Sequence, residues 1–129
     1  MAYAFTMDEL GFFEGRAASF EIYLAFAERL FQRFPDAGMR VQKTQITFTN
    51  PRVFACASLL KVRRAKDRPK DYIVVTFGLG SRVESPRVDA AVEPYPGRWT
   101  HHVLVARAEE IDDELMGWVE ASYRFARAK

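Results

Sequence analysis

Met39 and Val41 share one strand parity, while Ile46 and Phe48 share the other. Side chains on a strand alternate faces with period two. These four apolar residues can reach one core only if the parity changes between them. The change must fall within the polar run Gln42, Lys43, Thr44 and Gln45. A β-bulge or a tight turn supplies it. Either device puts two short antiparallel strands here, and bulges gather near functional sites. This polar run is therefore the first candidate site.

The flanking segments extend the pattern. Asn50, Pro51 and Arg52 form a turn signal, and Val53–Val62 is nearly all apolar or small, as suits a central strand covered on both faces, or on one face with small residues opposite. Tyr72–Leu79 alternates Ile73, Val75, Phe77 and Leu79 inward. A weaker strand begins at Ser85 and Pro86, with Val88, Ala90 and Val92 on one face. Pro94, Tyr95, Pro96 and Gly97 spell a turn, and Trp99–Arg107 is the last strand, with Val103 and Val105 opposite Leu104.

Helical patterns stand at both ends. Phe20, Tyr23, Leu24, Ala27, Leu30, Phe31 and Phe34 form one apolar stripe over 16–34, which Pro35 closes. Ile111, Leu115, Trp118, Val119, Ser122 and Phe125 form another, preceded by acids that favour a helix N-terminus. Thr6 and Glu9 have capping-box spacing for a short turn or helix through Phe12. Hairpin-length connections require antiparallel neighbours. The expected architecture is α+β: a two-layer sandwich with an antiparallel sheet of about five or six strands, covered by an N-terminal and a C-terminal helix. Residues 1–129 read as one domain, with 1–14 an extension or short helix and 15–127 the core.

Composition narrows the function classes. Nineteen Lys and Arg against 17 Asp and Glu leave a net charge of +2, too balanced to argue for nucleic acid by itself. The lone cysteine, Cys56, sits in an apolar run and reads as a small buried hydrophobe. The N-terminus lacks a basic segment followed by an apolar one, and no apolar run approaches the roughly 20 residues of a membrane span. A cytoplasmic protein without membrane attachment is expected.

The run Gln42–Phe48 resembles a family catalogued as domain of unknown function 5655. So do Phe54–Cys56, Val74–Leu79, Ser85–Arg87, Pro96–His102 and Ile111–Leu115, which together span residues 12–125. The resemblance implies a small α+β fold and a stand-alone bacterial protein. It brings no activity, cofactor or catalytic residue.

The residues themselves favour binding over catalysis. Lys43 among amide and hydroxyl groups suits an anionic or amide-bearing ligand, and Arg87 and Arg98 would add bidentate donors if they converged there. His101 shares a parity with Trp99 and is a candidate polar group in the same pocket. His102 must point the other way, so the pair cannot chelate one metal. The expected site is Gln42, Lys43, Thr44, Gln45, Arg87, Arg98 and His101, with no cofactor or metal. Its partner would be a small anion or a protein, including a second copy of the chain. Two alternatives stand beside it. The loop over 63–71 carries five basic and two acidic residues and could contact nucleic acid. A small enzyme could use His101 as acid or base.

Overall fold

A computed structural model of the chain describes residues 3–128. It has three α-helices, α1 (Met7–Phe12), α2 (Ala17–Arg33) and α3 (Asp113–Arg127). Six strands join them: β1 (Gly38–Val41), β2 (Gln45–Thr49), β3 (Val53–Ser58), β4 (Ile73–Leu79), β5 (Ala90–Tyr95) and β6 (Arg98–Val105). They form one antiparallel sheet in the order β1-β2-β3-β4-β6-β5. The α+β architecture is the expected one, with the helices on one face of the sheet. No helix among the described residues is long and apolar enough to cross a membrane.

The parity problem is solved by a turn. Val41 pairs with Ile46 and Met39 with Phe48, so Lys43 and Thr44 alone cross between β1 and β2. The Gln42 N–H donates to the Gln45 carbonyl at 2.8 Å and closes the turn. The irregularity lies one hairpin later. Phe48 pairs with Ala55 and Thr49 with Val53, which leaves Phe54 as an extra residue. Consecutive Phe54 and Ala55 thereby both enter the core.

That core is aromatic. Phe26 meets Phe48 edge-on, Phe34 stacks on Tyr123, and Phe77 lies between His101 and Trp118. Ile73, Val75, Val103 and Val105 complete the covered face of the sheet and are buried. Two fully buried serines tie both helices to the central strand region. Ser19 of α2 accepts the Tyr72 N–H at 3.0 Å, and Ser122 of α3 accepts the Gly78 N–H at 3.0 Å. Ser122 also donates to the Phe54 carbonyl at 2.7 Å. The recorded β3–β4 ladder stops at Cys56 opposite Thr76, so this hydroxyl bridges the two strands beyond the ladder's end.

The N-terminal segment folds as a real helix. Thr6 and Glu9 make the reciprocal capping box. Glu9 is fully buried, and its carboxylate also accepts from the hydroxyls of Tyr3 and Tyr23. A buried carboxylate with several donors keeps little desolvation penalty unmatched. Burial first, and the Glu9 carboxylate second, push both tyrosine pKa values far above the ordinary phenol value.

Three strand limits differ from expectation. β3 ends at Ser58 rather than running to Val62. The chain then turns across the uncovered face, where Val62 packs on Tyr72, Val74 and Leu104 in a second small apolar cluster. β5 starts only at Ala90, because the Val88 N–H turns back to the Ser85 carbonyl. Pro94 and Tyr95 belong to β5 instead of a turn. Proline is tolerated there because β5 is an edge strand. The turn itself is confined to Pro96 and Gly97, where Gly97 takes φ 84°.

Replacing Ser122 with Ala is expected to lower the unfolding free energy by about 2–4 kcal/mol, because two buried backbone groups lose their partner. Urea denaturation checks this, and a loss below about 0.5 kcal/mol would mean the strands close the gap unaided.

Candidate functional site

The helices leave the other face of the sheet free of helix, and a continuous residue row crosses it, with Thr47 and Cys56 buried at its centre. Arg40 pairs with Thr47, Thr47 with Cys56, Cys56 with Thr76, Thr76 with His102, and His102 with Ala90. One residue from each of the six strands contributes. Five of these six carry a side chain able to make polar contacts. The next row begins with Gln42 and Gln45 at the turn.

Side chains along the row are linked. Thr47 donates to Gln42 Oε1 at 2.6 Å and accepts from Gln45 Nε2 at 3.0 Å. Its oxygen lies 3.9 Å from Cys56 Sγ. Thr76 Oγ1 and His102 Nδ1 are 2.8 Å apart. Burial pushes the Cys56 thiol pKa up, against smaller opposing effects of Thr47 and Arg98. Cys56 is thus a protonated packing residue at neutral pH and not a thiolate nucleophile.

Arg98 reaches over this face. A Cβ at Gly78 would overlap its guanidinium, so the missing side chain of Gly78 makes the seat. No ion pair or side-chain hydrogen bond of Arg98 is found among the described residues. On β1–β3, a concavity of about 360 Å³ is lined by Arg40, Gln42, Gln45, Thr47 and Thr49, among others. Arg40 also lacks an ion pair there. The bonds within the glutamine set leave Gln42 Nε2 and Gln45 Oε1 without a partner among the described residues.

The seven residues expected to converge divide into three groups. Gln42, Gln45 and Arg98 share the open face. Lys43 and Thr44 sit at the exposed hairpin tip and border a different, more apolar hollow with Phe12, Leu59, Leu60 and Lys61. Arg87 and His101 lie with the helix layer. Arg87 donates to Asp112 at 2.9 Å, to Glu114 at 2.9 Å and to the Glu110 carbonyl at 2.7 Å. It thereby clamps the loop before β5 onto the start of α3. Although burial pulls the other way, Arg87 and the Leu115 N–H hold the Asp112 carboxyl below its ordinary value.

His101 is fully buried and stacks on Phe77 at 4.9 Å. Its Nε2 accepts the Val83 N–H at 2.9 Å. That bond requires the neutral ring with its proton on Nδ1. Nδ1 is buried and has no hydrogen-bond partner of good geometry. Burial lowers the His101 pKa, against the pull of the Phe77 and Trp99 backbone. A ring locked neutral under a loop is a structural anchor, which is a correction to its expected place in the site. Its neighbour His102 holds the open-face position instead. Arg40, Thr47, Thr76 and His102 were not among the expected site residues. Their signal was parity: each alternates with a residue of the covered face.

Among the described residues, no group of three or more His, Cys, Asp or Glu side chains could hold a metal ion. The fold and face define a class: a two-layer α+β protein with an open, polar sheet surface. The family model described as "Domain of unknown function (DUF5655)" matches residues 10–126, and the chain belongs to that family. No curated protein and no solved structure matches it.

The buried histidine makes stability depend on pH. Below about pH 6.5 the unfolded chain binds a proton that folded His101 resists, so stability present above that value falls as pH drops. His102, whose pKa burial also lowers, adds to the same slope. Each histidine contributes at most about 1.4 kcal/mol per pH unit. Denaturation between pH 7 and 5 should show this decline, with a shallower slope in His101→Gln. An unchanged slope would mean His101 protonates freely in the folded state.

Proposed function

We propose that this protein is a binding module that receives an anionic or amide-bearing ligand on the open face of its sheet. The observation that carries this reading is Arg98, a guanidinium seated over Gly78 with no ion pair among the described residues. An arginine half-withdrawn from water without a partner is a ready donor for a carboxylate or phosphate. Arg40 offers a second guanidinium at the concavity on β1–β3. There, the Gln42–Thr47–Gln45 set is held by its own hydrogen bonds and presents one free amide donor and one free carbonyl. Pre-organised groups lose less entropy on binding. Thr76 and His102 extend the polar floor towards β6.

This arrangement supports recognition more than chemistry. Cys56 is protonated, His102 is paired with Thr76, and no carboxylate lines the concavity. Nucleophilic catalysis requires a hydroxyl or thiol, a base and a third group that orients the base; Thr76 and His102 supply the first two, and no further side-chain hydrogen bond to His102 is found among the described residues.

The experiment exploits Gly78. Its backbone is compatible with alanine, and the atoms in the way are the flexible end of Arg98. Gly78→Ala should therefore displace the guanidinium and leave the fold intact. A thermal-shift panel of inorganic phosphate, sulfate, dicarboxylates and acidic dipeptides would be run at constant ionic strength. At least one anion should stabilise the wild type, by about 2.7 kcal/mol at a hundredfold excess over Kd. Gly78→Ala and Arg98→Ala should each weaken that binding by about tenfold to a hundredfold. Full retention of the shift in both variants would remove the open face from the reading.

A further inference from the structure

A second surface, on the 59–72 segment that crosses beside the polar row, gathers unpaired cations. Arg16, Lys61, Arg68 and Lys70 line one cleft of about 340 Å³, together with Leu59, Ala65, Pro69 and Tyr72. No acidic residue lines it. Lys61 also borders the neighbouring hollow, where Lys43 of the β1–β2 turn faces Phe12, Leu59 and Leu60. The two depressions thus share Lys61 and form one strip with five cations. Not one of the five has an ion pair among the described residues.

In sequence, Asp67 and Asp71 interrupt this charge. In the fold, neither lines the cleft, and Arg16 arrives from the start of α2 to replace them. The first turn of α2 contains no acid and no side-chain cap, so nothing there offsets Arg16. Elsewhere the loop is tied down. Arg63 pairs with Asp89 at 2.7 Å, and Arg68 donates to the Arg63 carbonyl at 3.3 Å. The cations are therefore carried on an anchored loop.

The occupant can be read from chemistry. A lone phosphate is satisfied by two or three cations, whereas five along a strip suit a chain of phosphates. The apolar floor favours a nucleic acid over an acidic peptide. Phe12, Leu59 and Leu60 lie beside Lys43 and Lys61, and Leu60 is 48% exposed. Apolar and aromatic surface next to backbone-tracking cations is the pattern that holds unstacked bases. We infer that this strip binds single-stranded nucleic acid, with phosphates along Arg16, Lys61, Arg68 and Lys70 and a base against the Phe12–Leu60 floor. The site is separate from Arg98 and stands or falls independently of the open face.

Fluorescence anisotropy with labelled 20-nucleotide single-stranded DNA and RNA, the matching duplex, and a polyglutamate of similar charge provides the test. The expected result is binding of a single strand at 50 mM salt, at least as tight as the duplex. The log–log slope against salt should be about −3 to −3.5, from roughly 0.7 per phosphate over four or five contacts. Lys61→Glu with Lys70→Glu changes two exposed residues, so the melting temperature should hold while affinity falls tenfold or more. Lys61→Gln with Lys70→Gln should give a smaller loss and a slope shallower by about 1.4, again at roughly 0.7 per phosphate. Arg98→Ala should leave binding unchanged. Absence of binding, a duplex preference, equal or tighter polyglutamate binding, or affinity unaffected by either double variant would overturn the inference.

Discussion

Two serine hydroxyls hold the molecule in register. Ser19 and Ser122 come from different helices; one accepts the N–H of Tyr72, just before β4, and the other that of Gly78, near its end. β4 lies between β3 and β6, so its position sets that of the whole sheet. Buried backbone donors are costly to leave unpaired, which makes these contacts directional where the surrounding aromatic packing is not. Ser122 does more, since its bond to the Phe54 carbonyl links β3 and β4 beyond their ladder. The extra residue at Phe54 belongs to the same arrangement. It turns a bulky ring towards Phe34 and Tyr123, against the end of α3.

The two faces of β4 consequently have opposite characters. Ile73, Val75 and Phe77 meet the helices and are buried. Val74, Thr76 and Gly78 face outward. Val74 is covered by the returning 59–72 segment, while Thr76 and Gly78 remain under polar neighbours. Gly78 joins both sides, because its N–H meets Ser122 beneath the sheet and its bare Cα admits Arg98 above it. The helix layer thus helps fix the strand that seats the outward guanidinium. A side chain at Gly78 would meet only the guanidinium above the sheet, whereas loss of the Ser122 hydroxyl would unpair groups inside it.

Much of this was legible in sequence because it rests on periodicity. The two helices, the antiparallel order and the short hairpins follow from spacing alone. The parity change at Gln42–Gln45 was legible too, and a two-residue turn supplies it. What spacing could not give was which polar residues share a face across strands, since that depends on register. His101 shows the limit and also a missed signal. It has the parity of Val103 and Val105, which marks it as a covered-face residue, and His102 as the outward one. Arg87 was not readable at all. Its partners Asp112 and Glu114 lie 25 and 27 residues away, and their position at a helix start already accounted for them. Phe54 was equally hidden, because a bulge alters parity without a compositional mark.

Charge is where composition misleads most. A net charge of +2 suggests a neutral surface, yet the ions are sorted. Among the described residues, every paired cation is an arginine: Arg29, Arg33, Arg63, Arg82, Arg87 and Arg124 engage Asp or Glu. Three of the acids involved, Asp112, Asp113 and Glu114, gather at the start of α3 and secure Arg87 and Arg29. Arginine suits this role because its planar fork satisfies a carboxylate with less ordering than lysine needs. The consequence falls on the remaining cations. Seven of those left unpaired gather in two places: Arg40 and Arg98 on the open face, and Arg16, Arg68 and three lysines along the basic strip. With the acids at the start of α3 occupied by structural ion pairs, two separate regions of unmatched positive charge persist on a nearly neutral chain. Long-range attraction between surface charges fades beyond about 8 Å at physiological salt, so such regions act locally and are not cancelled by distant carboxylates.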